Sequence, residues 1–333
     1  MSTTIKNVIR PSSSLIVASP IPKKDQVKGQ ADYNTLMLKR NGRSSFVHAH
    51  VFPGGVNDKY DDAQYWQGTF KEAHKDKFFN SKICAIRETF EESGLLLSHP
   101  PLYKIPTLDI ELWRKKVHDD ASQFKLMCDQ YQLTPAIDNL IPFANWITPV
   151  VEKKRYNTLF FLTVLKPSDK NEEILKVAAD GNETLQFDWF TPQQALDQFN
   201  EKKIKLIPPQ WYALHCLNQY PQHKDILENA GIGSLRVKST GAPITILPQF
   251  KFLDEANKEE NEKLQQGYDA VIVYPGDERH HFQGEETKDY ICQLSAQHNK
   301  PGNRHRLYIK GHMEHFTLEK NVDVEDIIVK ANL

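Results

Sequence analysis

One short helix, acidic on one side and apolar on the other, constrains this chain more than any other stretch. Residues 82–93 have helical spacing, and Gly94 supplies the left-handed stop that commonly ends a helix. At about 100° per residue, Glu88, Glu91 and Glu92 fall within one arc of about 100°. Ile83, Ile86 and Phe90 then face the other way, as a face packed on a sheet should. Three carboxylates on one face repel each other, and no basic side chain stands at the i+4 positions to relieve them. A solvated acidic surface is one outcome. A hard cation with oxygen ligands, Mg²⁺ or Mn²⁺, is the other. The context favours the cation: a sharp Pro53-Gly54-Gly55 turn lies upstream, and aliphatic Leu95-Leu96-Leu97 follows.

The rest of the composition sets bounds. A chain of 333 residues can bury one large core or two ordinary ones, and 39% hydrophobic with 26% charged residues is globular. The formal charge of −1 offers no field for nucleic acid or an anionic membrane, so an anionic ligand needs a local basic cluster. Cys84, Cys128, Cys216 and Cys292 are scattered without a CxxC pair, which argues against a disulfide framework or zinc site. No apolar run reaches the length of a membrane span, and the first residues lack the apolar core of a secretory signal. An intracellular protein is expected.

Strands are expected at 12–18, 34–39 and 46–52, before the glycine turn. Residues 57–80 are polar and aromatic without periodicity and read as an inserted surface segment. Helical spacing at 107–131 marks a second, helical insertion within about 100–140. Strands follow at 146–148, 158–165 and 184–190, and Thr191-Pro192 opens a helix, with another near 209–217. After about 240, short β-like runs alternate with turns. Strands and helices interleave without a regular βαβ period, so the class is α+β. The expected division is a catalytic domain over 10–225 and a C-terminal β-rich extension over 226–333, packed on it. His280, His281, His305, His312 and His315 match no metal-ligand spacing, and the Asn182-Glu-Thr184 sequon reads as silent.

Arg87-Glu88-Thr89-Phe90-Glu91-Glu92-Ser93-Gly94-Leu95 resembles the second half of the Nudix hydrolase box, Gly-x5-Glu-x7-Arg-Glu-U-x-Glu-Glu-x-Gly-U, where U is aliphatic. The first half departs. Gly55 and Arg87 have 31 residues between them, more than twice the unbroken spacing, and the box's first glutamate is out of register. Glu72 is its candidate replacement. An insertion at this point is similar to the peroxisomal coenzyme A diphosphatase, or Nudix-19-type, branch. Further matching stretches are His50-Val-Phe-Pro-Gly-Gly-Val56, Trp146-Ile-Thr-Pro149, Arg155-Tyr-Asn-Thr158 and Trp189-Phe-Thr-Pro192. The resemblance implies a Nudix fold, a mixed β-sheet sandwiched between helices, carrying the helical insertion and the C-terminal extension.

It also implies roles. Glu91 and Glu92 would be metal ligands, Glu88 a ligand or base, and a carbonyl at the Gly54-Gly55 turn would complete the shell. Arg87 would orient a glutamate through a bidentate pair. Arg40, Arg43 and Arg155 are the expected substrate contacts, since coenzyme A carries a 3′-phosphate besides its diphosphate. The expected reaction is metal-dependent hydrolysis of coenzyme A or acyl-CoA to adenosine 3′,5′-bisphosphate and (acyl-)4′-phosphopantetheine. Alternatives are hydrolysis of ADP-ribose, NADH or another nucleoside diphosphate derivative, or a ligand-binding module without catalysis. The tail Ala331-Asn332-Leu333 has the small-polar-Leu shape of a peroxisomal address, so an import receptor is an expected partner and the peroxisome the expected location, with the cytoplasm as alternative.

Overall fold

A computed structural model describes residues 9–40, 48–166, 186–228, 243, 245–281 and 300–322. Its organising element is the long strand β1 (Ile9–Pro20), which is buried on both faces. Leu15 and Val17 point to one side, Ile16 and Ala18 to the other, and all four are fully buried. A strand apolar on both faces must be covered from both sides. Residues 9–18 of β1 run parallel to β6 (Arg155–Val164), and its last residues pair antiparallel with β2 (Tyr33–Lys39).

β2 pairs with β3 (Ala49–Val51) and with β7 (Gln186–Phe190). β5 (Ile141–Ile147) lies beyond β6. β4 (Gly54–Val56) is laid across the first half of β1, with Ser13 opposite Gly55 and Ser14 opposite Gly54.

On the Leu15/Val17 side sits α1 (Phe79–Ser93), with Phe79, Ile83, Ile86 and Phe90 in the core as their spacing requires. The expected 107–131 helix is two helices, α2 (Ile110–Asp119) and α3 (Ser122–Tyr131), which add Trp113, Val117, Phe124 and Met127 to this layer. On the Ile16/Ala18 side lie α4 (Pro192–Asn200), opened by a Thr191–Gln194 capping box, and α5 (Pro208–Leu217). The α+β reading and the sheet between helical layers are therefore observed. No helix among the described residues is long and apolar enough to cross a membrane.

Towards the C-terminus a separate four-stranded sheet forms from β8 (Gln249–Phe252), β9 (Ala270–Val273), β10 (His305–Lys310) and β11 (His315–Lys320). Ala270, Ile272, Leu307, Ile309 and Phe316 enter the same apolar cluster as α4 and α5. Its histidines do structural work. His305 is buried between the Tyr212 hydroxyl (2.7 Å) and the Pro275 carbonyl (2.7 Å), and burial pushes its pKa down to about 3. His280 is pushed down to about 4 for the same reason. Arg306 makes a bidentate pair with Asp277 in which both side chains are fully buried.

Most of the 57–80 segment is surface, as its polarity implies, but Trp66 anchors it in the core. Trp66 is 1% exposed, packs against Phe70 and Phe124, and donates from Nε1 to the Tyr60 carbonyl (3.0 Å). Asn80 ties the segment to the start of α1, accepting from Ala63 N and donating to Asp62. The polar residues that hid this packing are the ones making these bonds. Trp66→Ala should therefore cost about 3–5 kcal/mol in denaturant unfolding, as for a buried aromatic residue; a loss near zero would show that Trp66 does not anchor the segment.

Candidate active site

The site is built where the β4 turn meets α1. Two glycines are needed there for different reasons. A Cβ on Gly54 would lie 2.3 Å from the Ser13 carbonyl oxygen, so only glycine lets the turn lie on β1. A Cβ on Gly55 would lie 2.4–2.5 Å from the carboxylate of Glu88, so Gly55 makes room for that carboxylate. Pro53 and Asn57 lace the turn to β1, through Leu15 N to the Pro53 carbonyl (2.9 Å) and Asn57 N to the Pro11 carbonyl (3.0 Å).

Arg87, 4% exposed, organises the acidic face. Its bidentate partner is Asp61, through Nε (2.9 Å) and Nη2 (3.0 Å), and Asp61 is itself buried. The remaining nitrogen, Nη1, donates to Glu88 (2.9 Å) and Glu91 (3.4 Å), and Nη2 also reaches the Val56 carbonyl (3.3 Å). The expected role of Arg87, orienting glutamates, is thus carried by Nη1, while its fork is fixed by an aspartate. Asp61 sits in a 3-10 turn, Lys59–Asp61, capped by Asp58.

Asp61 stands six residues after Gly55, the place the box gives to its first acidic residue. The insertion falls between Asp61 and Arg87, not between Gly55 and Asp61. Counting forward from the glycine finds this residue; counting back from the arginine misses it. Glu72, the candidate replacement, is exposed and pairs with Lys75.

Glu88, Glu91 and Glu92 do share one face. Glu92 accepts from Gly54 N (2.9 Å), and Glu91 accepts from His118 Nδ1 (2.8 Å). Burial first, then neighbouring carboxylates, pushes Glu92 up to about 8. Burial likewise raises Glu88 to about 7, against the opposing pull of Arg87. Burial also raises the Cys84 thiol beneath Gly55, so it is not a reactive thiolate.

The positive charge of Arg40 reaches Glu92. Arg155 is buried at the start of β6, and its Nε donates to the Thr148 carbonyl (3.0 Å). Arg43 lies outside the described residues, as do Ala331, Asn332 and Leu333. Beside the carboxylates opens a cleft of about 400 Å³, with Arg87, Glu88 and Glu91 on one side and 117–121 of the helical insertion on the other.

Among the described residues, no three acidic, histidine or cysteine groups converge as a finished ligand set. Arg87 bonds to Glu88 and Glu91, His118 to Glu91, and Gly54 N to Glu92. The donor set nevertheless fits a hard divalent cation. It offers carboxylate and carbonyl oxygens, and two of its acids are so short of compensating charge that burial drives them toward protonation.

A mixed sheet around the parallel β1 and β6 pair, between helical layers, with an Arg-Glu-x-x-Glu-Glu helix against a Gly-Gly turn, is the arrangement of the Nudix fold. Residues 77–217, less than half of the chain, match the NUDT19 Nudix domain, so this part of the chain is similar to that branch. It is 33% identical over 242 residues to the Xenopus laevis protein named acyl-coenzyme A diphosphatase NUDT19, covering 58% of this chain and 62% of that one. The Gallus gallus protein of the same name is 27% identical over 296 residues, 73% and 77% of the two chains. The match thus spans less than two thirds of the Xenopus relative's length. In fold, the chain resembles the crystal structure of a Nudix hydrolase from Alicyclobacillus acidocaldarius (TM-score 0.51, 19% identity, 67% of this chain and 97% of that one). Nudix hydrolases generally require a divalent metal.

Two predictions follow the charges. Asp61→Ala leaves Arg87 buried without its partner, and should cost about 3–5 kcal/mol in denaturant unfolding; a neutral result would show that the pair organises nothing. The second concerns pH. A carboxyl whose folded pKa is raised binds its proton more tightly folded than unfolded. Its stabilising contribution is therefore present below the ordinary carboxylate range and is lost as pH climbs through about 7 and 8. Thermal melts of EDTA-treated protein should show stability falling from about pH 5 to pH 8.5, with added Mg²⁺ raising the melting point most at the upper end. A profile insensitive to Mg²⁺ at every pH would contradict a cation site on this face.

Proposed function

We propose that the protein is a diphosphatase of coenzyme A or acyl-CoA, using Mg²⁺ or Mn²⁺ and yielding adenosine 3′,5′-bisphosphate and (acyl-)4′-phosphopantetheine. The observation that carries this reading is the acidic face of α1, ordered by Arg87–Asp61 and roofed by Gly54-Gly55 beside an open cleft. The relatives named acyl-coenzyme A diphosphatase support the substrate class.

When bound, a divalent cation neutralises charge on the diphosphate and acidifies water at the site. Glu88, Glu91 and Glu92, with the Gly55 carbonyl, are the groups that would hold it. Arg87 stays beneath the carboxylates, since Asp61 claims its fork, and it keeps Glu88 and Glu91 turned to the cleft. Arg40, near Glu92, supplies positive charge for a phosphate. Arg43 and Arg155 remain candidates for the 3′-phosphate, Arg155 acting from its buried place beside Thr148. The C-terminal Ala331-Asn332-Leu333 supports a peroxisomal location reached through an import receptor.

Incubation with Mg²⁺ and a panel of CoA, acyl-CoA, ADP-ribose and NADH, with products separated by chromatography, tests the reaction. CoA species should be cleaved to adenosine 3′,5′-bisphosphate. Preference for ADP-ribose or NADH would refute the substrate, and binding without turnover would point to a non-catalytic module. Glu91→Gln should lower kcat by about 10²-fold or more, as loss of a catalytic electrostatic group does, with the melting point held. For the address, a fluorescent fusion ending at Leu333 should colocalise with a peroxisomal marker and become cytoplasmic when Leu333 is deleted; an unchanged pattern would exclude it.

A further inference from the structure

The inserted helix α2 touches the acidic end of α1 with one face. Residues 110, 114 and 118 lie on that face at i, i+4 and i+8. A Cβ on Gly94 would lie 3.2 Å from Ile110 and 3.3 Å from Arg114, so the two helices meet where α1 ends. Arg114 donates to the main-chain carbonyls of Glu91 (Nε, 3.2 Å) and Glu92 (Nη2, 2.8 Å). These are last-turn carbonyls that the helix cannot satisfy by itself, and a cation there suits the negative end of the dipole. One turn further along, His118 Nδ1 meets Glu91 Oε1 at 2.8 Å, while Arg87 holds Oε2.

Docking α2 does not require these two polar residues. Trp113 and Val117, on its apolar side, are 3% and 1% exposed and already bind it to the core. The His118 side chain is 74% exposed and buries little, whereas that of Glu91 is 13% exposed. An exposed pair of this kind adds little to stability. What it does fix is the direction of one carboxylate.

We propose that Arg114 and His118 are positioning residues for the metal-binding end of α1. Arg114 fixes the main chain that carries Glu91 and Glu92, and His118 fixes the carboxylate of Glu91. The insertion is then part of the active site rather than an ornament on it. The inference rests on the metal-binding reading of the three glutamates.

Mn²⁺ titration of the 333-residue protein without substrate, followed by electron paramagnetic resonance of the free ion, tests it. His118→Ala should weaken Mn²⁺ binding about tenfold, the usual effect of losing a group that orients a ligand, with the melting point unchanged. His118→Asn keeps an amide donor at the Nδ1 position and should restore most of that loss. Arg114→Gln should weaken binding as well, and kcat should fall in both deficient variants with KM for CoA unchanged. Wild-type Mn²⁺ affinity in His118→Ala, while Glu91→Gln loses binding, would overturn the positioning role alone. Wild-type affinity in Glu91→Gln would overturn the metal reading and this inference with it.

Discussion

The buried pair between Asp61 and Arg87 is the constraint on which the site depends. Arginine beneath three glutamates is needed to keep them from repelling each other, yet a guanidinium free to swing would neutralise them and occupy the cation's place. Asp61 prevents this by claiming the fork, leaving one nitrogen for Glu88 and Glu91. Breaking one member of a buried pair is far costlier than the pair's net contribution, so the arrangement is specified rather than merely tolerated. Asp61 reaches Arg87 because its turn is capped by Asp58 and begins at a β4 strand pinned to β1. The pair therefore ties the sheet to the helix at the one place where chemistry is expected.

The insertion after Asp61 leaves this arrangement intact because both of its ends are anchored. Its start lies in the Asp58–Asp61 turn, and its end leads into α1 through Asn80 and Lys82, the latter bonded to Asp76. Between them Trp66 contributes core to the helix layer shared with α3. Long loops cost chain entropy only slowly with length, so a segment that brings its own buried aromatic can be accommodated. The second insertion behaves similarly, with an apolar side for the core and a polar side for α1.

Much of the fold was legible because its signals are periodic and local. The body of α1, the Gly94 stop, the Thr191-Pro192 start and the β1, β2 and β6 strands follow from spacing and caps, whereas α1 begins at Phe79, ahead of the expected Lys82, with no side-chain cap to mark its start. The three glutamates and the Gly-Gly turn were legible for the same reason. Trp66 was not, because a polar segment gives no periodicity and its partner Phe124 is distant in sequence, while Asp61 was legible from Gly55 and was lost only by counting back from Arg87 across the insertion. Arg114 and His118 escaped notice because a charged residue on an amphipathic helix looks the same whether it faces water or another helix's end. The α6 helix (Lys258–Gln265), capped locally by the Asn257 side chain and burying no residue, and β11 near the C-terminus also went unassigned.

The central claim is that the face held by Arg87 and Asp61 is a divalent-cation site. Anomalous diffraction from crystals soaked in Mn²⁺ tests it most directly. The account predicts a manganese peak among Glu88, Glu91 and Glu92 beside the Gly55 carbonyl, with the Arg87–Asp61 pair unbroken. Manganese bound elsewhere, with no peak among these three carboxylates, would contradict it.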